Sequence, residues 1–265
     1  MKTARVVVVS IALLLPMLVQ AQRRGLSPGS VFAPNNAEAA DALDAGTAAF
    51  RDGDYATAKS SFEKVVTVAP SLAVGHLYLG TVYSMLMDES EHGKAYGTSA
   101  IREFKIYLNS KPFDRSALVM LGEVYWKQGA DEDALKCYRT AEQQESGWDS
   151  AYAIGSINRA MCQNAMFGKK EMLNVDDMPS LVTEQSCPKF RNEYLRNINE
   201  GIDYTQVALR LKPDDANTML EMMLLFEFRS RLACGNRQAQ KNDHEQSLMW
   251  RQKLEQRFPD KQQKE

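Results

Sequence analysis

Glycine and proline are scarce in this chain, at 15 and 9 of 265 residues, or about 9% together. An average protein carries roughly 12%. The shortage excludes a collagenous or proline-rich fibre and suits a helical protein. Histidine is scarcer still, at 3. His76, His92 and His244 lie far apart, and none has ligand spacing to a second His or Cys, so no metal site is assigned. The 4 cysteines form no C-x-x-C pair and no haem-attachment motif. G-x-S-x-G, H-E-x-x-H, the P-loop and G-x-G-x-x-G are all missing, so no catalytic residue and no cofactor is assigned. A formal charge of −2 provides no overall basic field for nucleic acid. The hydrophobic fraction, 44% of the chain, is enough for the core of one or two domains.

What is present begins with an address. Lys2 and Arg5 flank an apolar run from Val6 to Val19, and Val19-Gln20-Ala21 offers small residues where a signal peptidase reads. The run is shorter than the roughly 20 residues a bilayer-spanning helix needs. Residues 1–21 therefore read as a secretory signal cleaved before Gln22, with an uncleaved anchor as the alternative. No cysteine follows Ala21 to take a lipid. No later segment is apolar enough to span, so the expected mature protein is soluble and periplasmic or secreted. Residues 22–38, with Arg23, Arg24, Gly25, Pro28, Gly29 and Pro34, read as a flexible leader, and 260–265 as a frayed tail.

The body of the chain repeats itself. Gly46, Gly80, Gly122 and Gly155 sit in helical surroundings, 34, 42 and 33 residues apart. Small-then-aromatic pairs recur at four-residue spacing: Ala58 and Phe62, Ala100 and Phe104, Ala134 and Tyr138. Val65, Tyr107 and Ala141 follow three residues later, and Pro70, Pro112, Pro213 and Pro259 end helical runs. The physics of the frame is simple. Glycine on one helix and alanine on the next let two backbones approach, large side chains fill the space beside them, and proline stops the second helix. Asp114 and Asp215 stand where they can cap the helix that follows.

This pattern resembles the tetratricopeptide repeat, a helix-turn-helix unit of about 34 residues. Residues 39–148 hold three such units, with boundaries near Leu72 and Asp114. The second is eight residues too long, with the excess expected between its helices around Met87 to Ser99. Residues 149–259 read as divergent units with an insertion at about 167–189. There Arg191 to Leu211 forms a helix, and Ala216 to Cys234 and His244 to Phe258 form a last pair. The resemblance implies an all-α, right-handed superhelical solenoid of about five antiparallel helix pairs, since one unit cannot bury its faces alone.

In this family the concave surface is lined mostly by first-helix side chains. The resemblance places Asp44, Thr47 and Arg51, then Tyr78, Thr81 and Met85, then Glu123, Trp126 and Lys127, then Tyr152, Ser156 and Arg159 on that surface. Aromatics mixed with both signs of charge suit a peptide groove; the same aromatics could instead pack on neighbouring helices. The family's carboxylate clamp is absent, because its positions hold Leu43, Thr47, Tyr78, Ser116 and Met120.

Four cysteines permit three full pairings in an exported chain. Cys137 falls inside a second helix and reads as buried. Cys187 to Cys234 is the expected bridge, pinning the insertion to the last repeat, and Cys162 to Cys187 is its competitor. Asp88 to His92 and Asp176-Asp177 lack the spaced oxygens of a calcium loop and read as solvated. Met219, Met222, Met223 and Met249 read as irregular core. The expected function is a non-catalytic adaptor in the bacterial envelope, holding another protein or peptide. The alternatives are an enzyme or metal-dependent protein with its site in the 167–189 insertion, and a module that self-associates through open solenoid ends.

Overall fold

The computed structural model of the chain describes residues 32–33, 35–89, 93–168 and 185–258. The signal and most of the leader, the centre of the insertion, His92 and Pro259 lie outside the described residues. Among the described residues the regular structure is ten α-helices, and the chain divides after Gln144 into two units.

The first unit holds three helix pairs: α1 (Ala37–Arg51) with α2 (Tyr55–Val68), α3 (Ala73–Glu89) with α4 (Gly93–Ser110), and α5 (Arg115–Lys127) with α6 (Asp131–Gln144). Each pair packs internally and meets the next through α2 against α3 and α4 against α5. Helix starts are set by side-chain caps. Asn36, Asp54 and Asp114 accept the backbone N–H of Ala39, Thr57 and Ala117, each at 3.0 Å. The turns inside pairs one and three are alike. Gly53 and Gly129 adopt φ of +79° and +76°, a region glycine enters without strain. The residue after each bonds back into the first helix: Asp54 N–H to the Ala49 carbonyl and Ala130 N–H to the Tyr125 carbonyl, both at 2.9 Å. Pro70 and Pro112 follow the ends of α2 and α4, as expected of residues that cannot continue a helix.

The repeat frame is visible as touching atoms. A Cβ on Gly46 would lie 2.5 Å from the ring of Phe62, and one on Gly80 or Gly122 would lie 3.0 Å from Phe104 or Tyr138. Ala58, Ala100 and Ala134 are wholly buried at the facing points. The long second repeat differs from expectation. Its excess is taken up mainly as helix, with α3 reaching Glu89 and α4 resuming at Gly93.

The second unit holds α7 (Trp148–Phe167) with α8 (Cys187–Leu211), and α9 (Ala216–Arg231) with α10 (Arg237–Arg257). Its core joins Cys162, Ile198, Met222, Leu225, Phe228 and Leu232, among others. Met219, Met222 and Met223 are buried, while Met249 is half-buried. Asp215 caps α9 by accepting the Thr218 N–H at 2.8 Å. Helix α10 begins at Arg237, seven residues before the expected His244, because Asn236 accepts the Ala239 N–H at 3.0 Å and starts it there. Helix α8 likewise starts at Cys187, so the last residues of the expected insertion are helical. Cys187 and Cys234 are joined by a disulfide that ties the start of α8 to the turn after α9. Arg191 of α8 donates to the Leu232 carbonyl at 3.0 Å, placing a cation at the carbonyl end of α9.

Candidate partner-binding faces

The twelve residues expected on the contact surface fall into two groups, one in each unit. In the first unit, Tyr78 and Thr81 are corrected by the structure. Tyr78 is 3% exposed and stacks on Phe62 with ring centroids 5.1 Å apart. Burial pushes its phenol up to about 12, keeping it neutral. Thr81 is 0% exposed, and its hydroxyl donates to the Leu77 carbonyl at 2.8 Å, with Met120 Sδ at 3.6 Å. Both side chains are spent on neighbouring helices, because α3 is flanked by α2, α4 and α5. Met85, Glu123, Trp126 and Lys127 remain partly accessible. Glu123 and Lys127 form an ion pair of 3.0 Å one helical turn apart. Thr47 of α1 is also buried, donating to the Asp44 carbonyl at 3.0 Å.

In the second unit, Tyr152, Ser156 and Arg159 share one face of α7, and α9 brings Glu221 against it. Ser156 is buried and donates to Glu221 Oε2 at 3.2 Å, so it too is corrected from a contact residue to an internal one. Arg159 donates to Glu221 Oε1 and to Gln163 Oε1, both at 2.5 Å. Burial opposes the charge of the Arg159 guanidinium, but the Glu221 carboxylate outweighs it and holds its pKa above the ordinary arginine value. Tyr152 is half-buried and stacks on Trp148 at 5.4 Å between centroids. Trp148 is itself fixed, donating from Nε1 to Thr218 Oγ1 at 3.0 Å with the Lys212 ammonium 3.5 Å from its ring centre.

Sequence reasoning missed three polar features. Glu221 sits among methionines and leucines, where nothing in its neighbourhood marks a buried carboxylate. His76 and Glu103 meet in the first unit, Nδ1 to Oε2 at 2.6 Å, with Nε2 donating to the Pro70 carbonyl at 2.9 Å. Both are buried, and Arg102 reaches back to the same carboxylate at 2.8 Å. The third is Lys212 over Trp148. A position facing the core in the repeat frame was the one available signal for Glu103, which precedes Phe104.

The two free cysteines among the described residues are not activated. Cys137 and Cys162 are buried free thiols, pushed by that burial up to about 11 and about 12, so they stay protonated near neutrality. No group of three or more His, Cys, Asp or Glu with metal-holding geometry occurs among the described residues. No described helix is long and apolar enough to cross a membrane.

The profile of the tetratricopeptide repeat matches residues 116–144, the α5–α6 pair. The fold resembles two crystal structures of MamA. The first aligns with a TM-score of 0.60 at 15% identity over 86% of this chain and 96% of that one. The second has a TM-score of 0.53 at 17% identity, over 80% and 98%. A thermophilic TPR protein from Thermus thermophilus aligns at 0.48 and 16% identity, over 80% and 96%. No curated relative matches the chain in sequence.

Proposed function

We propose that this chain, which belongs to the tetratricopeptide-repeat proteins, is a non-catalytic interaction scaffold that works outside the cytoplasm. It would hold a partner peptide or helix on its first-helix faces. The observation that carries the reading is the pairing of a repeat architecture with partly open aromatic and charged side chains on its first helices: Met85, Glu123, Trp126 and Lys127 in one unit, Tyr152 and Arg159 in the other. Flat apolar area flanked by fixed charges supplies both affinity and register for an extended or helical segment. Export is supported by the Lys2–Ala21 pattern and by the Cys187–Cys234 bridge, since disulfides persist in oxidising compartments.

The test is site-specific photo-crosslinking in the producing cell. A photoreactive residue replaces Trp126 or Met85, and, as the control, Ile106, which is exposed on the second helix of its pair. Discrete adducts from the first two positions and none from the third are expected. Equal labelling at all three, or none, would remove the first-helix face from the account.

A further inference from the structure

Three leucines of the last helix pair are left open. Leu220 and Leu248 are 40% and 46% exposed, and Leu224 is half-buried. They share one face. Glu227 and His244 touch across α9 and α10 on it, and Leu224 and Leu248 stand one turn further on. We propose that this face is a self-association surface, on which a second copy of the chain packs its own α9–α10 pair about a two-fold axis.

The repeat frame shows what these positions are for. In α9, Met222, Met223 and Phe226 stand where α3 has Leu79, Gly80 and Tyr83. Leu224 is thus the counterpart of Thr81 and Ser156. Both of those are buried and meet the next pair: Thr81 reaches Met120 of α5 at 3.6 Å, and Ser156 reaches Glu221 of α9 at 3.2 Å. Leu220 answers to Leu77 and Tyr152, the first 9% exposed and the second half-buried. In α10, Ser247 precedes Pro259 by the same interval as Gly201 precedes Pro213. Leu248 then answers to Ile101 and Ile202, the first half-buried and the second 7% exposed. The last pair therefore carries side chains suited to receive a following pair, and no pair follows among the described residues. Exposed apolar side chains gathered on one face mark an interaction surface.

Charge decides the occupant. Helix α1 of another copy, the first helix of the repeat series, is a poor match. It would set Asp44, its counterpart of Met120 and Glu221, on Leu224, with exposed Asp41 beside it, pressing carboxylates onto apolar surface. A second α9–α10 pair matches. Lys241 and Glu255 lie at equal distances before and after Leu248, about two turns each way, so all three fall on one stripe of α10. Two α10 helices crossing antiparallel at Leu248 bring Lys241 of each copy opposite Glu255 of the other, with the leucines between. Both charged side chains are exposed. Lys241 now reaches Glu245 at 3.8 Å, a surface pair that is exchanged at little cost. A face complementary to itself forms a closed, isologous dimer. Arg229 grips Asp243 with three bonds of 2.7–3.1 Å, so α9 and α10 present the face as one rigid surface.

The experiment is sedimentation equilibrium of the full mature chain over a concentration series, with circular dichroism to confirm that each variant folds. A monomer–dimer equilibrium is expected. Leu248→Glu sets two carboxylates against each other at the axis and should weaken the dimer at least about tenfold. Lys241→Glu should weaken it too, and Lys241→Glu/Glu255→Lys should restore it. Leu248→Cys should give a covalent dimer on mild oxidation, because a residue at a two-fold axis meets its own copy, which a head-to-tail contact does not allow. A strict monomer, a dimer indifferent to Leu248→Glu, a double charge reversal as weak as the single one, or a folded Leu248→Cys chain that forms no covalent dimer each overturns the proposal.

Discussion

Replacing Gly46 by alanine tests the repeat frame where two opposing effects can be weighed. A mid-helix Gly→Ala change normally stabilises by about 1 kcal/mol through backbone entropy. Here the new methyl would sit 2.5, 2.7 and 2.9 Å from three atoms of the Phe62 ring. The ring must retreat by most of an ångström to restore ordinary contact. It cannot do so freely, because Phe62 is 0% exposed and Tyr78, itself 3% exposed, is stacked on it. Overpacking of this kind costs about 1–3 kcal/mol, and with no slack on the far side the upper half of that range applies. The net expectation is destabilisation by roughly 1–2 kcal/mol. Gly122→Ala is the internal control. Its nearest ring atoms, on Tyr138, lie at 3.0–3.2 Å, so a shift of a few tenths suffices. There the propensity gain should about cancel the crowding, leaving a change within roughly 0.5 kcal/mol of zero. Urea unfolding of the full chain by circular dichroism, with amide exchange in α1 and α2, measures both. A double-mutant cycle with Phe62→Leu, which shrinks the ring's footprint, should return a favourable coupling of about 1–2 kcal/mol between the two changes. If Gly46→Ala stabilises the chain containing Phe62, or the coupling is absent, the close crossing of α1 and α2 does not exist as described.

Two further outcomes are expected. The Cys187–Cys234 bridge closes a loop with a sequence separation of 47, and in the chain-entropy picture its removal by double serine substitution should cost about 4 kcal/mol; an unfolding midpoint that is the same in oxidised and reduced protein would contradict this. Cys137 and Cys162 have thiols raised by burial from 9.0 to about 11 and about 12. The folded state holds these protons more tightly, so the stability they contribute is intact below the unfolded value and is lost as pH rises through the folded values. Alkylation near pH 8 should therefore spare both thiols in the folded chain and modify both after unfolding, and mass spectrometry showing rapid labelling of the folded chain would refute their burial.

Much of the fold could be read from spacing because its determinants are periodic. Gly46 with Phe62, Gly80 with Phe104 and Gly122 with Tyr138 place a small residue against a ring once per repeat. Asp114 and Asp215 stand two residues after helix-stopping prolines, where each carboxylate accepts the N–H three residues on and caps the next helix. Local chemistry of this kind leaves a local mark. The polar interior leaves none. His76 and Glu103 are 27 residues apart, and Arg159 and Glu221 are 62 apart; only the packing of one helix on another brings them together. The same limit affected the contact face. Spacing put Tyr78, Thr81 and Ser156 on first helices, but it could not show that neighbouring helices already cover them. The start of α10 was missed because its cap, Asn236, stands among polar residues with no apolar period to announce a helix.

The two units hold their helices in register by different means, and the difference bears on what each face can do. In the first unit the repeated lock is apolar, a ring beside a glycine in each of the three pairs, supplemented between α3 and α4 by the buried His76–Glu103 contact. In the second unit that lock is lost. Gly155 and Gly201 face each other across α7 and α8, so the backbones nearly touch and no ring intervenes. Register passes to polar groups. Asn158 donates to Glu200 at 3.1 Å and accepts from Asn197 at 2.9 Å, while Arg159 and Ser156 both bind Glu221. A slip of one helical turn would move Arg159 about 5.4 Å along the axis. It would leave a buried guanidinium and a buried carboxylate without each other, a penalty far larger than any loss from apolar sliding. The arrangement is thus nearly all-or-none. Under the proposed function, Arg159, held in that lock by Glu221, would meet a partner as a group already fixed in place, whereas Trp126 and Met85 of the first unit would meet it as adaptable apolar surface.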